Sequence, residues 1–224
     1  MIPINLADTV LVFDLDDTLY PEIDYHYSGL NYILSTISTL YPSKANIPSL
    51  SSLIDFSSSP LDDIVSNLDL PPSSITSLLW LYRNHTPTIQ LSPSTLSLLD
   101  WASCNFYSVC ILTDGRSISQ RLKLSSLGLS HLPVYISEEF SDVKPSKTRF
   151  LAIMTDFPVT NYIYVGDNPI KDFVAPNLLN WHTIGLRASS SNIHPQPVSL
   201  PSPVHHPSLW IDNLSDLVKM FNYD

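Results

Sequence analysis

Val10-Leu11-Val12-Phe13 is an unbroken run of β-branched, aliphatic and aromatic residues that stops abruptly at Asp14-Leu15-Asp16-Asp17-Thr18. Such a run, with no polar alternation, reads as a strand buried on both faces, the pattern of a parallel sheet. The acids then fall at the strand's carboxyl end, where open α/β sheets place their ligands. Two carboxylates two residues apart can share one metal ion while one of them stays free to attack an electrophile. The alternative for this stretch alone is an acidic turn capping the next helix.

The rest of the chain fits a strand–helix alternation. After Ser92 the sequence predicts a helix over Pro93–Ser103 and a strand over Phe106–Leu112. A capping box, Ser117-Ile118-Ser119-Gln120, opens a helix ending at Gly128. A short strand over Pro133–Ile136, a helix over Ser146–Thr155, a strand over Asn161–Val165, a helix over Asp172–Leu179 and a strand over His182–Leu186 follow. Strands alternating with helices imply parallel βαβ units, so the expected fold class is α/β, a Rossmann-like doubly wound parallel sheet. His194 to Pro207 is Pro-rich and expected to lie extended on the surface, before an amphipathic helix over Leu214–Phe221.

Between Pro21 and Leu91 the period changes. Tyr27, Leu30, Ile33, Leu34, Ile37 and Leu40, and then Ile75, Leu78, Leu79 and Tyr82, recur at helical spacing. Ser- and Pro-rich breaks separate them at Ser43–Ser52, Ser57–Pro60 and Pro71–Ser74. The expected organisation is a core of residues 1–20 plus 92–224, with a small helical bundle of residues 21–91 inserted in it.

A chain of 224 residues, 44% hydrophobic, can bury a sizeable core. With 11 basic against 21 acidic residues it carries a net charge of −10, so it has no general attraction for nucleic acid polymers or anionic membranes. An anionic substrate has to be gathered locally, by a metal and a few placed cations. Cys104 and Cys110 suggest no disulfide framework and read as small core hydrophobes. No secretory signal and no membrane-length apolar run is present, so a cytoplasmic location is expected.

Asp14 is the expected nucleophile: attack of its carboxylate on phosphorus gives an acyl phosphate that water can cleave. Asp16 is placed to protonate the leaving alcohol and then to take a proton from the attacking water. Asp17 and Thr18 read as supports of the turn. Thr113, at a strand end before Asp114-Gly115-Arg116-Ser117, suits a transferring phosphoryl oxygen, and Asp114 is grouped with it. Lys144, before Pro145 and Ser146, could neutralise both the phosphoryl group and the nucleophile. Gly166-Asp167-Asn168-Pro169-Ile170-Lys171-Asp172 brings further acids to another strand end. Carboxylates gathered on two strand ends repel unless a cation sits among them, and hard oxygen ligands with a phosphate substrate point to Mg²⁺. Asp14, Asp16, Asp167 and Asp172 are the candidate metal residues; Asp172 can also serve as a helix N-cap.

Asp14-Leu15-Asp16-Asp17-Thr18, Thr113, Lys144 and Asp167 with Asp172 stand in the order and spacing of the motifs of the haloacid dehalogenase-like (HAD) superfamily, which this chain resembles over nearly its whole length. The resemblance implies a Rossmannoid core, with residues 21–91 as the helical C1-type cap of the family's first subfamily. It also implies magnesium held by Asp14, Asp167 and the backbone carbonyl of Asp16, with Asp172 assisting directly or through water.

The expected activity is hydrolysis of a small phosphorylated metabolite, such as a sugar phosphate or nucleoside monophosphate, by a monomer or homodimer. The cap's basic residues, Lys44 and Arg83, are outnumbered by Glu22, Asp24, Asp55, Asp62, Asp63 and Asp69, which argues against a bisphosphate. Arg116, Arg83, His26 and His85 are candidate contacts for the leaving group; Trp80 and Tyr82 read as cap core, and His194, His205 and His206 as solvated. A phosphomutase of the β-phosphoglucomutase type uses the same carboxylates, and a binding protein on the same fold is the non-enzymatic alternative. A 2-haloacid dehalogenase needs neither metal nor an acid at position 16, so Asp16 counts against it.

Overall fold

A computed structural model describes all residues except 1–3, 44–46, 57–58, 191, 194 and 222–224, and residues 54–56 in backbone only. Lys44, His194 and part of the Ser43–Ser52 and Ser57–Pro60 breaks lie outside the described residues. The centre of the molecule is a parallel sheet of six strands in the order β3-β2-β1-β4-β5-β6. Its strands are β1 (Thr9–Phe13), β2 (Ser108–Thr113), β3 (Val134–Ile136), β4 (Asn161–Gly166), β5 (His182–Leu186) and β6 (Leu209–Ile211).

Every residue of β1 is buried, as its apolar run requires, because layers cover both faces. Leu11 and Phe13 join one hydrophobic cluster with Leu98, Ala102, Leu124 and Leu217, from α5 (Pro93–Asn105), α6 (Ser117–Ser126) and α10 (Asp216–Phe221). Val10 and Val12 point the other way, into a cluster with Phe150, Ile153 and Ala175 from α8 (Thr148–Asp156) and α9 (Val174–Leu178). The period-two alternation of β1 thus feeds two cores. From β1 the chain moves to β2 and β3 on one side, then crosses to β4 and β5 on the other. The crevice at that reversal opens beyond the end of β1, beside Asp14.

The inserted segment forms α1 (Glu22–Leu40), α2 (Leu50–Phe56), α3 (Pro60–Asn67) and α4 (Ser74–Asn84). These helices share a hydrophobic cluster of their own, including Leu30, Ile33, Ile37, Leu53, Ile64 and Leu78. A Cβ at Gly29 would meet the Tyr82 ring at 2.5 Å, so the absence of a side chain there lets α1 and α4 approach closely. Asp17 holds a left-handed backbone (φ 55°) and its Oδ1 accepts from the Glu22 N–H at 2.8 Å, satisfying an otherwise unpaired amide at the start of α1.

Several expectations need correction. The break expected over Ser43–Ser52 runs into α2, which begins at Leu50 and buries Leu53 in the α1–α4 cluster. A short strand, β6, extends the sheet where only a surface segment followed by a helix was expected. The helix expected from Asp172 begins at Val174. Ser117 does not cap α6: Arg116 holds the N-cap position, and the Gln120 amide is drawn into the crevice. Cys104 is exposed on α5 while Cys110 is buried, and both are free. Trp80 is exposed on α4, and His205 is half-buried with its Nδ1 2.9 Å from Ser202 Oγ. No helix among the described residues is long and apolar enough to cross a membrane.

Candidate active site

Asp14 is placed by the sheet itself. Its N–H donates to the Val165 carbonyl at 2.9 Å, continuing the β1–β4 ladder one residue past the strand and presenting the carboxylate to the crevice. One carboxylate oxygen from each of Asp14, Asp167 and Asp172 lies within 4.8 Å of the others, all three residues being buried. Burial is the largest influence on Asp14, and with the Asp172 and Asp167 charges it pushes the carboxyl well above its ordinary value against the pull of Lys144. Burial likewise raises Asp167 to about 7, helped by Asp172 and Asp17. Acids so destabilised as anions form a donor set that a hard divalent cation fits.

Lys144 balances the group from the opposite side. Its ammonium lies 2.9 Å from Asp14 Oδ1, 2.7 Å from Asp172 Oδ1 and 3.2 Å from the Tyr164 hydroxyl. Burial alone would lower its pKa, but Asp14 and Asp172 outweigh that and hold it well above the ordinary lysine value. Asp172 is fully buried; Oδ1 faces Lys144 and Tyr164, while Oδ2 accepts from the Asn168 N–H at 2.8 Å. It therefore orients both the lysine and the loop that carries Asp167. Gly166 makes this possible, because a Cβ there would come within 2.5 Å of Asp172 Oδ2.

On the leaving-group side, Asp16 Oδ1 is 2.7 Å from the Lys123 ammonium and accepts from the Tyr20 hydroxyl, while Oδ2 accepts from Gln120 Nε2 at 2.9 Å. Burial pushes Asp16 up, but the Lys123 charge and these hydrogen bonds prevail and its pKa lies below the ordinary value. The same Gln120 amide is 2.6 Å from Thr113 Oγ1 and 3.0 Å from the Asp114 carbonyl, tying α6 to the end of β2. Asp114 in turn receives the Arg149 guanidinium and the Lys144 N–H. Arg149 also donates to the Thr113 carbonyl at 2.8 Å, so it fastens the end of β2 from behind.

The Pro-rich tail does more than cross the surface. Gln196 donates to the backbone carbonyls of Asp167 and Leu186, Asn192 Nδ2 reaches Asp167 Oδ2 at 3.1 Å, and Ile193 N–H donates to Asp17 Oδ2 at 3.0 Å. The Thr18 hydroxyl reaches the other Asp167 oxygen at 3.4 Å.

Asp14, Asp16, Asp17, Glu22, Thr113, Asp114, Lys144, Asp167, Asn168 and Lys171 line a cleft of about 120 Å³. The structure thus gathers Asp14, Asp16, Thr113, Asp114, Lys144 and Asp167 around one space, with Asp172 directly behind it. The four residues singled out for the leaving group, Arg83, His26, Arg116 and His85, are not among those that line it. Arg83 accepts at its carbonyl from Ser119 Oγ, His26 pairs with the Tyr82 hydroxyl at 3.0 Å, and Arg116 is exposed at the start of α6. His85 is buried between Ser28 Oγ and the Tyr82 carbonyl. Lys123, Gln120, Tyr20, Glu22, Arg149 and the tail residues are contributions that the sequence reading missed. For Gln120 and Lys123 a signal existed, since polar residues three apart share one helix face.

A family model described as haloacid dehalogenase-like hydrolase matches residues 11–186. A comparison with curated proteins gave no match. Among solved structures, YfnB of Bacillus subtilis, bound to magnesium, is 16% identical with a TM-score of 0.65, over 96% of this chain and 99% of its own. A HAD phosphatase from Thermococcus onnurineus is 20% identical, with a TM-score of 0.60 over 95% and 97% of the two chains. A 2-haloacid dehalogenase from Pseudomonas syringae pv. Tomato DC3000 is 19% identical, with a TM-score of 0.60 over 94% and 96%. At these identities the structures share the fold; the family match, over most of the chain and including the end of β1, carries the assignment. The chain belongs to the haloacid dehalogenase-like hydrolases.

Proposed function

We propose that this hydrolase is a Mg²⁺-dependent phosphomonoesterase acting on a small phosphorylated metabolite, with helices α1–α4 serving as its cap. The observation that supports it most is the buried meeting of Asp14, Asp167 and Asp172 beside the Lys144 ammonium, a site built to compensate negative charge. Asp14, Asp167 and the backbone carbonyl of Asp16 would hold the ion, with Asp172 supporting them. Bound there, the ion would neutralise the carboxylates and polarise the phosphoryl group.

The chain's own residues supply the remaining chemistry. An Asp14 carboxylate oxygen attacks phosphorus, forming a P–O bond to Asp14 as the bond to the leaving oxygen breaks. Asp16, in its protonated form, delivers a proton to that oxygen and becomes a carboxylate. Water then attacks the phosphorus of the aspartyl phosphate, Asp16 accepts the water's proton, and Asp14 is released as a carboxylate together with phosphate. Lys144 compensates charge on Asp14 and on the phosphoryl oxygens, and Thr113 offers its hydroxyl and the turn after it to the same oxygens. The cap excludes water from the cleft while the leaving group departs.

Dehalogenases share the fold and the attacking carboxylate, but a haloacid displacement needs neither a metal nor an acid/base at position 16. The test is an assay of the purified protein with sugar phosphates, nucleoside monophosphates, p-nitrophenyl phosphate and 2-haloacids, each with Mg²⁺ and with EDTA. Phosphate release that EDTA abolishes is expected. Halide release without metal would establish the dehalogenase instead. Retention of the phosphoryl group on the protein until an acceptor sugar is added would indicate the mutase.

A further inference from the structure

The cleft wall holds six carboxylates, from Asp14, Asp16, Asp17, Glu22, Asp114 and Asp167. The other five have donors on their side-chain oxygens: Lys144 for Asp14, Lys123 for Asp16, the Glu22 and Ile193 amides for Asp17, Arg149 for Asp114 and Asn192 for Asp167. For Glu22 the hydrogen bonding stops at its backbone, and no donor among the described residues meets its side-chain oxygens. Yet Glu22 is fixed in space, in the first turn of α1 with its N–H held by Asp17. Burial and the neighbouring Asp16 charge raise its pKa to about 7 against the pull of Lys123 and Lys171, so its anion is only partly compensated by the protein.

The groups able to compensate it are few. Lys144 is committed to Asp14 and Asp172, and Lys123 to Asp16. Lys171 is exposed at the edge of the same cleft. A half-buried acceptor with no donor is matched by a substrate group that donates, and it repels one that carries negative charge. We propose that Glu22 determines specificity by accepting a hydrogen bond from the leaving alcohol. The site then selects phosphomonoesters whose alcohol bears a hydroxyl or ammonium group and no second anionic group. This deepens the phosphomonoesterase reading and rests on it.

The test compares kcat/KM for glycerol phosphate, phosphoglycolate and a sugar bisphosphate in wild type, Glu22→Gln and Glu22→Lys, with p-nitrophenyl phosphate assayed alongside. Wild type should prefer glycerol phosphate over phosphoglycolate by about tenfold or more, as one charge-assisted hydrogen bond against one like-charge contact implies. That ratio should shrink in Glu22→Gln and invert in Glu22→Lys, and a ratio is insensitive to how much of a variant folds. Metal-dependent turnover with equal kcat/KM for these substrates in wild type, or a ratio unmoved by both substitutions, would overturn the role of Glu22 while leaving the phosphatase standing. No hydrolysis of any phosphomonoester, p-nitrophenyl phosphate included, would overturn the phosphatase and the role of Glu22 together.

Discussion

The Lys123 ammonium lies 2.7 Å from Asp16 Oδ1, joining two side chains 107 residues apart at 5% and 16% exposure. The same ammonium sits 4.2 Å from the centroid of the Tyr25 ring on α1, so one lysine touches both the acid/base group and the inserted helices. Its partner's pKa is depressed, which means that the ionised Asp16 stabilises the fold. That stability is present above the ordinary carboxylate value and is lost as pH falls through the depressed one.

Lys123→Met removes the main influence holding Asp16 down, and burial then raises its pKa. The alkaline limb of kcat/KM against pH, where the protonated Asp16 needed for the first step is lost, should move to higher pH. The variant should also lose about 3–5 kcal/mol of stability at neutral pH, because a buried carboxylate is left uncompensated. Rate profiles and urea denaturation check the two effects; an alkaline limb that stays in place would contradict the assignment of Asp16.

Gly166→Ala sets a methyl group against Asp172 at 2.5 Å, where the obstacle is a buried carboxylate locked by three donors rather than a mobile side-chain end. Displacing Asp172 misplaces Lys144 and the loop of Asp167 together. The expected cost is about 1–3 kcal/mol of stability from overpacking, with a fall in activity that added Mg²⁺ does not restore. Wild-type kinetics in the folded variant would show that the contact is unimportant.

Asp167 gives the metal-free protein a definite pH dependence. Its folded pKa is raised to about 7, so the protonated acid favours the fold. That contribution is complete below the ordinary carboxylate value and is lost as pH rises towards 7. A divalent cation binds the ionised form and should reverse the trend. Mg²⁺ is therefore expected to raise Tm at pH 8 and to do little at pH 5, and Asp167→Asn should abolish the difference. Melting curves at the two pH values decide it.

Asn192→Ala and Gln196→Ala act on the same residue from the tail, one on a carboxylate oxygen and one on the backbone. Loss of such support characteristically weakens metal affinity by about 10–100-fold. The Mg²⁺ concentration for half-maximal activity should rise in both variants, with kcat at saturating Mg²⁺ less affected. No change in either would make the tail a passenger.

The acids were legible because their signal is local: Asp14 and Asp16 end an apolar run, and Asp167 ends another. Lys144 and Thr113 gained their meaning from order and spacing along the chain. Lys123, Arg149 and Gln196 carry no such signature, since each finds its partner only when distant segments meet. Gln120 misled, because Ser117 and Gln120 have the spacing of a capping box while the amide is better satisfied by Asp16 and Thr113 in the crevice. β6 was hidden by its brevity and the prolines before it, and the start of α2 by Ser51 and Ser52, which read as part of a break. Arg83, His26, His85 and Arg116 suit a leaving group by their chemistry alone, and none is among the residues that line the cleft.

The central claim is a covalent phosphoryl group on Asp14. The most direct test is to quench the protein in acid during turnover of its best phosphomonoester and to search by mass spectrometry for the peptide containing Asp14. The account predicts the mass of one added phosphoryl group on that peptide, lost on treatment with hydroxylamine and absent from Asp14→Asn. Full turnover by Asp14→Asn, or a phosphoryl group trapped on another residue, would contradict it.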